Sequence, residues 1–276
     1  MTPGIQKTMA ISGAAFVLLL FPAIIMTGLL PPISPMRTAN EIAVFWSTNT
    51  GLKRVGLVLL LAASGLQAPF GALLAIRIRQ MDAGRHSPLA YMQLVGTGLA
   101  VVAIIMPTFA FAAASYRPER DPQITQALND LGWLPFVMNW PAATIQCLAI
   151  GFAIFGAVHE IWPRWLGYFN VWCGFIFAAG GLVVLFKDGV FAWNGLLAFW
   201  MVAVFFGLWF LIMAWQLWVS VAAPEGNSAA SAAPETARSQ SQQCPYSGNR
   251  ASPARPPTEP DASLAKRASG FSYWAT

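Results

Sequence analysis

The sequence predicts an all-α membrane protein with six transmembrane helices, two short interfacial amphipathic helices on one face and a disordered C-terminal tail. Two observations lead to this fold class. The 276 residues are 57% hydrophobic and only 10% charged, whereas ordinary soluble domains contain about 25% charged residues. The apolar stretches between the charges also reach about the 20 residues that a helix needs to cross a hydrocarbon core.

Six apolar stretches are long enough to be spans. They lie at about Thr8–Leu30, Val55–Ile76, Leu89–Ser115, Trp133–Val158, Trp165–Phe186 and Trp193–Val221. The first stretch follows Lys7, as a signal peptide would, but it is too long for one and lacks a small-residue cleavage site. We therefore expect the first helix to be retained.

Tryptophan positions agree with these boundaries, because amphipathic rings favour the headgroup region of a membrane. The tryptophans at or near predicted span ends are Trp133, Trp162, Trp165, Trp193 and Trp218. The tryptophans predicted to pack between helices are Trp140, Trp172, Trp200 and Trp209. Pairs of small residues four positions apart, such as Ala149 and Ala153, predict close helix packing.

The first connection contains a short amphipathic helix. Thr38-Ala-Asn-Glu41 has the pattern of a capping box, in which two side chains satisfy the first backbone donors of a helix. Ile42, Phe45 and Trp46 then fall on one face. This pattern predicts a helix that lies at the membrane interface.

The third connection contains a second such helix. Asp121-Pro122 supplies an N-cap residue and a proline at the first helical position. Ile124, Leu128 and Leu131 follow at helical spacing, so this helix is also expected at the interface.

Both amphipathic helices lie on the same side of the membrane, because two spans separate them. The turn at Lys187-Asp188-Gly189 emerges there too. We call this side the elaborated face, defined by residues 31–54, 116–132 and 187–189. Lys and Arg are almost balanced between the two sides, but Arg77, Arg79 and Arg85 cluster after the second span. This cluster favours a bacterial inner-membrane protein with both termini in the cytoplasm.

The predicted six-span domain covers residues 1–222, and residues 223–276 form a tail rich in Ser, Ala, Pro, Gln and Arg. Such a composition buries too little apolar surface to offset chain entropy, so the tail is expected to be disordered. The net charge of +5 does not indicate nucleic-acid binding, because the basic residues stand near helix ends or in the tail.

Few residues suit catalysis or metal binding. His86 and His159 lie near predicted span ends, where they are poorly placed to act as a pair of axial haem ligands. Ile-Trp-Pro-Arg follows His159-Glu160 and breaks the His-Glu-x-x-His zinc pattern. No nucleophile elbow or phosphate-binding glycine loop occurs. We therefore expect no catalytic residue, no metal and no cofactor, and favour a non-enzymatic protein.

Uncharged polar residues are the main chemical features inside the predicted spans, where no ionisable residue lies clearly at mid-span. They are Ser64, Gln67, Gln93, Thr97, Asn139, Thr144, Gln146, Asn170 and Gln216. Most suit hydrogen bonds between helices. Pro141 removes a backbone donor beside Asn139, which makes this position the best candidate for a break that lines a cavity. The candidate pocket joins this break to the elaborated face and consists of Glu41, Asp130, Asn139, Trp140, Gln146, Lys187, Asp188 and Asn194.

Three segments carry a resemblance to a known group. They are Thr38-Ala-Asn-Glu-Ile-Ala-Val-Phe45, the stretch 117–136 that begins Arg-Pro-Glu-Arg-Asp-Pro, and the stretch 191–200 that begins Phe-Ala-Trp-Asn-Gly. Over about residues 1–220 the chain resembles uncharacterised bacterial multi-pass membrane proteins that form a domain of unknown function. The resemblance implies a six-span bundle and brings no activity.

The leading hypothesis is an integral membrane protein of unassigned activity whose partner is membrane lipid. One alternative is a transporter or permease component for an apolar or amphipathic small molecule, which requires no buried carboxylate. A weaker alternative is an enzyme that acts on a lipid-soluble substrate. A cavity that reaches Asn139 and Gln146 would favour transport, whereas pairing of these amides between helices would favour a structural role. No oligomeric state follows from the sequence.

Overall fold

The computed structural model describes residues 1–82 and 86–222, and within these ranges it contains helices and no strands. Six helical segments there are long and apolar enough to cross a membrane, which confirms the predicted all-α fold class. They are Pro3–Thr27, Thr50–Met81, Pro88–Tyr116, Pro122–Phe155, Arg164–Leu185 and Gly189–Val221. The predicted tail and Arg85 lie outside the described residues.

The spans differ in continuity, since two are single α-helices and four are interrupted. The α-helices are α1 (Pro3–Thr27), α2 (Ala39–Ser47), α3 (Thr50–Gly65), α4 (Gln67–Met81), α5 (Pro88–Tyr116), α6 (Pro122–Met138), α7 (Trp140–Phe155), α8 (Arg164–Ala178) and α9 (Val202–Ala222). The fifth span continues from α8 as a 3-10 helix over Ala179–Leu185. The sixth begins with a 3-10 turn at Gly189–Phe191 and a π-helix at Leu196–Met201 that leads into α9.

The first helix is a central element of the bundle. α1 packs against α3, α4 and α9. The ring of Phe16 on α1 lies 4.7 Å from the ring of Phe210 on α9, which lies 5.2 Å from the ring of Phe70 on α4. Gly28 ends α1 in the left-handed conformation (φ 74°), which glycine adopts without the strain of a side chain.

The predicted capping box of α2 is confirmed. The Thr38 side chain accepts a hydrogen bond from the Glu41 backbone N–H, and the Thr38 backbone N–H donates to the Glu41 carboxylate. Ile42 and Trp46 are buried on the predicted apolar face. The Trp46 indole N–H donates to Asn129 Oδ1 on α6 at 3.1 Å, which attaches α2 to the bundle.

Helix α6 begins as predicted but is longer than predicted. Asp121 caps its N-terminus by accepting from the Gln123 N–H. The helix then continues to Met138, past the predicted start of the fourth span at Trp133. Its protein-facing side carries Asn129 and Trp133, whereas Ile124 and Leu131 of the predicted apolar face are exposed. The helix passes through Pro135 and ends at Met138, three residues before Pro141, which cannot donate to the Val137 carbonyl.

The connections lie on two faces, as the alternation of spans predicts. On the elaborated face, the Trp193 indole N–H donates to the Ile33 carbonyl at 2.7 Å, which joins the first connection to the sixth span. On the other face, the Val158 N–H donates to the Met81 carbonyl at 3.0 Å, which joins the fourth connection to the end of the second span.

The tryptophans follow a different pattern from the predicted one. Trp133 and Trp193, expected at the headgroups, are buried and stack with ring centroids 6.1 Å apart. Trp172, expected between helices, is 67% exposed. Trp209 is buried as predicted. The buried rings of Trp133 and Trp193 lie near α2 and α6, where protein takes the place of the headgroup layer.

Candidate functional site

A cavity of about 120 Å³ lies where the interrupted spans meet. We call it the central cavity. Its walls come from α1, α5, α8 and α9, from the start of α4, from the α6–α7 junction and from the π-helix. Most of the lining is aliphatic or aromatic, including Ile24, Ile104, Phe199 and Phe210. Among the described residues, no Asp, Glu, His, Lys or Arg lines it.

The α6–α7 junction forms one wall of the central cavity. The helix break in this junction is the one that the sequence predicted. Asn139 separates the two helices and does not cap α7 with its side chain. Pro141 lies in the first turn of α7, where its missing N–H costs least. Asn139 and Trp140 consequently face the central cavity, and Trp140 is 37% exposed at its rim.

The fifth and sixth spans leave regular α-geometry beside this junction. A Cβ added to Gly180 in the 3-10 helix would lie 2.6 Å from the Val137 carbonyl oxygen, so glycine allows the two backbones to approach. The 3-10 helix packs against α6 and against the π-helix. Ala198 and Phe199 of the π-helix line the cavity. π-helical turns occur frequently at functional sites, which supports a role for this cavity.

The second span is also interrupted, between α3 and α4, and α4 begins with Gln67. Gln67 lines the central cavity and is only 2% exposed. Its Nε2 has no hydrogen-bond partner among the described residues. A buried amide donor without an acceptor costs free energy, and Nε2 itself is enclosed by its neighbours.

A different arrangement holds for Gln93, Thr97 and Gln146, which we call the amide cluster. The Gln93 Nε2 and the Thr97 hydroxyl both lie 3.2 Å from Gln146 Oε1. Gln146 Nε2 donates to the carbonyls of Gly96 and Ala142 at 3.2 and 3.4 Å. Gln146 therefore lines the cavity with both ends of its amide already bonded to protein.

Other polar residues inside the spans also pair between helices, as predicted. The Thr144 hydroxyl on α7 donates to the Gly174 carbonyl on α8 at 2.9 Å. The Trp209 indole N–H on α9 donates to Asn170 Oδ1 on α8 at 2.8 Å. These bonds hold α7, α8 and α9 together on one side of the cavity.

The structure divides the predicted pocket into two groups. Asn139, Trp140 and Gln146 line the central cavity. The residues of the predicted pocket that do not line it are Glu41, Asp130, Lys187, Asp188 and Asn194.

Four members of the second group, Glu41, Asp130, Lys187 and Asp188, belong to the elaborated face, and Asn194 lies in the sixth span. Glu41 is exposed, and the Thr38 backbone N–H, followed by the Thr38 hydroxyl, holds the pKa of Glu41 below its usual value. Lys187 and Asp188 are exposed, whereas Asp130 and Asn194 are half-buried. These residues shape the outer surface and the cap of α2 rather than the cavity wall.

Two buried cations lie near the ends of the second span, away from the cavity lining. Lys53 Nζ donates to the carbonyls of Phe45 and Thr48, both at 2.7 Å, and so caps α2. The Arg77 guanidinium donates to Gln80 and Gln6 at 2.7 and 2.9 Å. Both cations are bonded to neutral oxygens, which stabilise the helix ends.

Gln67, Cys147 and Trp209 also line the cavity and were not predicted as pocket residues. The available signal was the position of Gln67 within an apolar span. Within the described ranges no group of three His, Cys, Asp or Glu side chains is placed to hold a metal ion. The lining can therefore hold an apolar body and offer it a small number of neutral hydrogen-bonding groups.

Comparison of the chain with known protein families, with curated proteins and with solved structures finds no match.

Proposed function

We propose that this chain is a bacterial inner-membrane protein that binds a neutral apolar or amphipathic small molecule in the central cavity and acts as a transporter or permease component. The observation that carries the proposal is the central cavity itself. Membership of the uncharacterised multi-pass group that the sequence resembles is part of the same proposal, as is a topology with both termini in the cytoplasm.

The lining supports a neutral occupant. A charged ligand would lose its hydration and gain no opposite charge from the cavity-lining residues among those described, which would make its burial costly. An apolar occupant would instead replace empty space with dispersion contacts to residues such as Phe199 and Phe210.

The exposure of the lining residues supports entry of a ligand into the cavity from the surface of the helical bundle. Its floor is buried at Gln67 and Ile104, whereas Phe206 and Trp140 at the rim are partly exposed. The interrupted helices around it support the same function, because transporter binding sites are typically formed by discontinuous helices.

One observation favours a purely structural role for the bundle: both ends of the Gln146 amide are hydrogen-bonded to protein. This observation accounts for the amide cluster and leaves the empty volume beside Gln67 without an explanation. An occupied cavity accounts for both.

The proposal is tested by filling the cavity. Ala143 lines the central cavity, so Ala143→Phe is expected to occupy part of it. Ala62 is exposed on α3, and Ala62→Phe is the matched control. The full chain is purified in mild detergent, and the small molecules that co-purify are quantified by mass spectrometry.

We expect a neutral molecule to co-purify with the wild type and with Ala62→Phe, and to be depleted several-fold in Ala143→Phe. Equal amounts in the three proteins, or no bound molecule even after saturation with a neutral hydrocarbon, would overturn the proposal. The topology is tested separately by Asp82→Cys, which an impermeant thiol reagent should leave unlabelled in intact cells.

A further inference from the structure

The central cavity runs from the middle of the bundle towards the elaborated face. Gln67, which lines its deep end, lies about halfway along the second span, Thr50–Met81. Leu30, which lines its outer end, follows α1 and directly precedes the first connection. The lining residues of α7 agree with this direction, since they run from Trp140 to Cys147 in the first half of that helix. A molecule in the cavity therefore has one end near mid-span and the other near the elaborated face.

Asn139, between α6 and α7, carries an open side-chain amide in the outer part of this cavity. The amide does not cap α7 and forms no hydrogen bond with another described residue. Asn139 is half-buried, and within the described ranges the enclosed side-chain atoms that lack a partner all belong to other residues. Both Oδ1 and Nδ2 of Asn139 therefore keep accessible surface on a residue that lines the cavity.

The polar side chains deeper in the cavity are closed to a ligand. Gln67 Nε2 is enclosed by its neighbours. The Gln146 amide is bonded to protein at both ends, and the Trp209 indole N–H is donated to Asn170. The deep part of the cavity thus offers dispersion contacts, and the outer part offers hydrogen bonds at Asn139. The lining is amphipathic along its length.

The Asn139 amide specifies the polar end of a matching molecule. A carboxamide presents one acceptor oxygen and an N–H donor group, and leaving either without a partner in an apolar wall costs free energy. An ether or ester oxygen can accept from Nδ2 but has no proton for Oδ1. A hydroxyl or a carboxamide can do both. A charged head group is disfavoured, because no charged side chain of the described residues lines the cavity.

We propose that the occupant is a neutral single-chain amphiphile from the membrane leaflet beside the elaborated face, a refinement that rests on the proposed function. Its hydroxyl or carboxamide head group hydrogen-bonds to Asn139, and its apolar chain extends towards Gln67. One water needs about 10–15 Å³ of cavity, so about 120 Å³ holds about ten non-hydrogen atoms, enough for one short chain. The partly exposed rings of Trp140 and Phe206 mark the rim where this molecule enters.

The test uses three probes of equal length that differ in the polar group. 1-Decanol donates and accepts hydrogen bonds, methyl nonyl ether accepts only, and undecane does neither. The full chain is titrated with each probe in the same detergent, and apparent affinity is taken from the rise in the midpoint of thermal unfolding. Each probe is compared between proteins, because the ratio of its apparent affinities for two proteins is independent of its partition into micelles.

The variants separate the open amide from a polar group that is already paired. Asn139→Leu removes the amide and keeps the branched shape of the side chain, and Asn139→Ala removes it without adding apolar bulk. Thr144→Val is the matched control on α7, because the Thr144 hydroxyl donates to the Gly174 carbonyl and does not line the cavity. We expect Thr144→Val to bind every probe as the wild type does.

Asn139→Leu and Asn139→Ala are expected to weaken 1-decanol by about 2- to 12-fold for each hydrogen bond lost. Methyl nonyl ether should lose less than 1-decanol, and undecane should not weaken. A uniform loss for all three probes, no loss for 1-decanol, equal losses for the ether and the alcohol, or the same selective loss in Thr144→Val would each overturn the head-group proposal. In these cases binding of undecane leaves the proposed function standing. Failure of all three probes to bind the wild type would overturn the proposed function as well.

Discussion

The amide cluster and the Gln67 end of the central cavity contain the same chemical groups in different states. Gln93, Thr97 and Gln146 bond to one another and to backbone between α5 and α7. Gln67, in the wall of the same cavity, has an amide nitrogen without a partner. The three glutamines therefore differ in degree. Gln146 is bonded at both ends of its amide, Gln93 is bonded through Nε2 while its Oε1 has no partner among the described residues, and Gln67 has no partner at Nε2.

Close helix contact brings the side chains of the amide cluster together. A Cβ added to Gly96 would lie 2.6 Å from the Gln146 Cγ, and a Cβ added to Gly71 would collide with the Thr97 side chain. Glycine at these two positions lets α4, α5 and α7 approach until their polar side chains reach one another. The Gln67 end of the cavity, beside the break between α3 and α4, lacks such closure.

The largest expected effect comes from opening this contact. Gly96→Leu must displace Gln146 and is expected to destabilise the protein by about 3 kcal/mol through overpacking and loss of the cluster. Gly98 lies on the same helix with nothing within 4 Å of an added Cβ, so Gly98→Leu is the matched control and should be nearly neutral. Unfolding in mixed micelles measures both. Equal losses in the two variants would mean that the glycine contact does not hold the cluster together.

A smaller effect is expected from Gln146→Leu, which leaves the Gln93 amide without its acceptor on α7, whereas the Thr97 hydroxyl keeps the Gln93 carbonyl. Hydrogen bonds between membrane helices contribute about 1–2 kcal/mol at most, so we expect a loss of about that size. Gln67→Leu should cost nothing, because no protein partner is lost. The contrast between two glutamine-to-leucine changes tests the comparison directly.

A double-mutant cycle sharpens this result. Because Gln93 Nε2 donates to Gln146 Oε1, the variant that carries both Gln93→Leu and Gln146→Leu should lose less stability than the sum of the single variants. The corresponding cycle between Gln67 and Gln146 should be additive. Coupling of Gln67 to Gln146 would show that the two regions are one network.

Local features of the fold were predictable from the sequence because they depend on residues within a few positions of one another. The capping box of Thr38 and Glu41 and the break next to Pro141 belong to this class. The burial of Trp133 and the exposure of Trp172 do not depend on such nearby residues. Their environment depends on which elements pack against α6 and α8, which no local pattern encodes.

The lining of the central cavity was likewise predictable only in part. Asn139, Trp140 and Gln146 were predicted as pocket residues and line the central cavity. Gln67 could be recognised from the sequence only as a polar residue in a span. Its distinguishing property is the lack of a partner, and that property depends on the rotation and spacing of neighbouring helices. The close approach of Gly71 to Thr97 sets this spacing.

The smallest expected effect is a pH response confined to the elaborated face. Amide and hydroxyl groups do not titrate near neutral pH, so the stability of the amide cluster should not change between about pH 3 and pH 8. Glu41 differs, because Thr38 and the nearby Arg37 hold its pKa below the usual value. Its stabilising contribution to α2 is complete above about pH 4.3, the value for an unfolded chain.

As the pH falls through the lowered pKa of folded Glu41, the carboxylate is protonated and this contribution is lost, so α2 should open more often. Hydrogen exchange of the α2 amides, corrected for the intrinsic effect of pH, measures the opening. Glu41→Gln keeps a capping-box side chain that does not titrate, and should open to the same extent throughout the acid range. An acid-induced opening that persists in Glu41→Gln would assign the pH response to another group. An amide cluster whose stability changes in acid would remove the distinction between the cluster and the elaborated face.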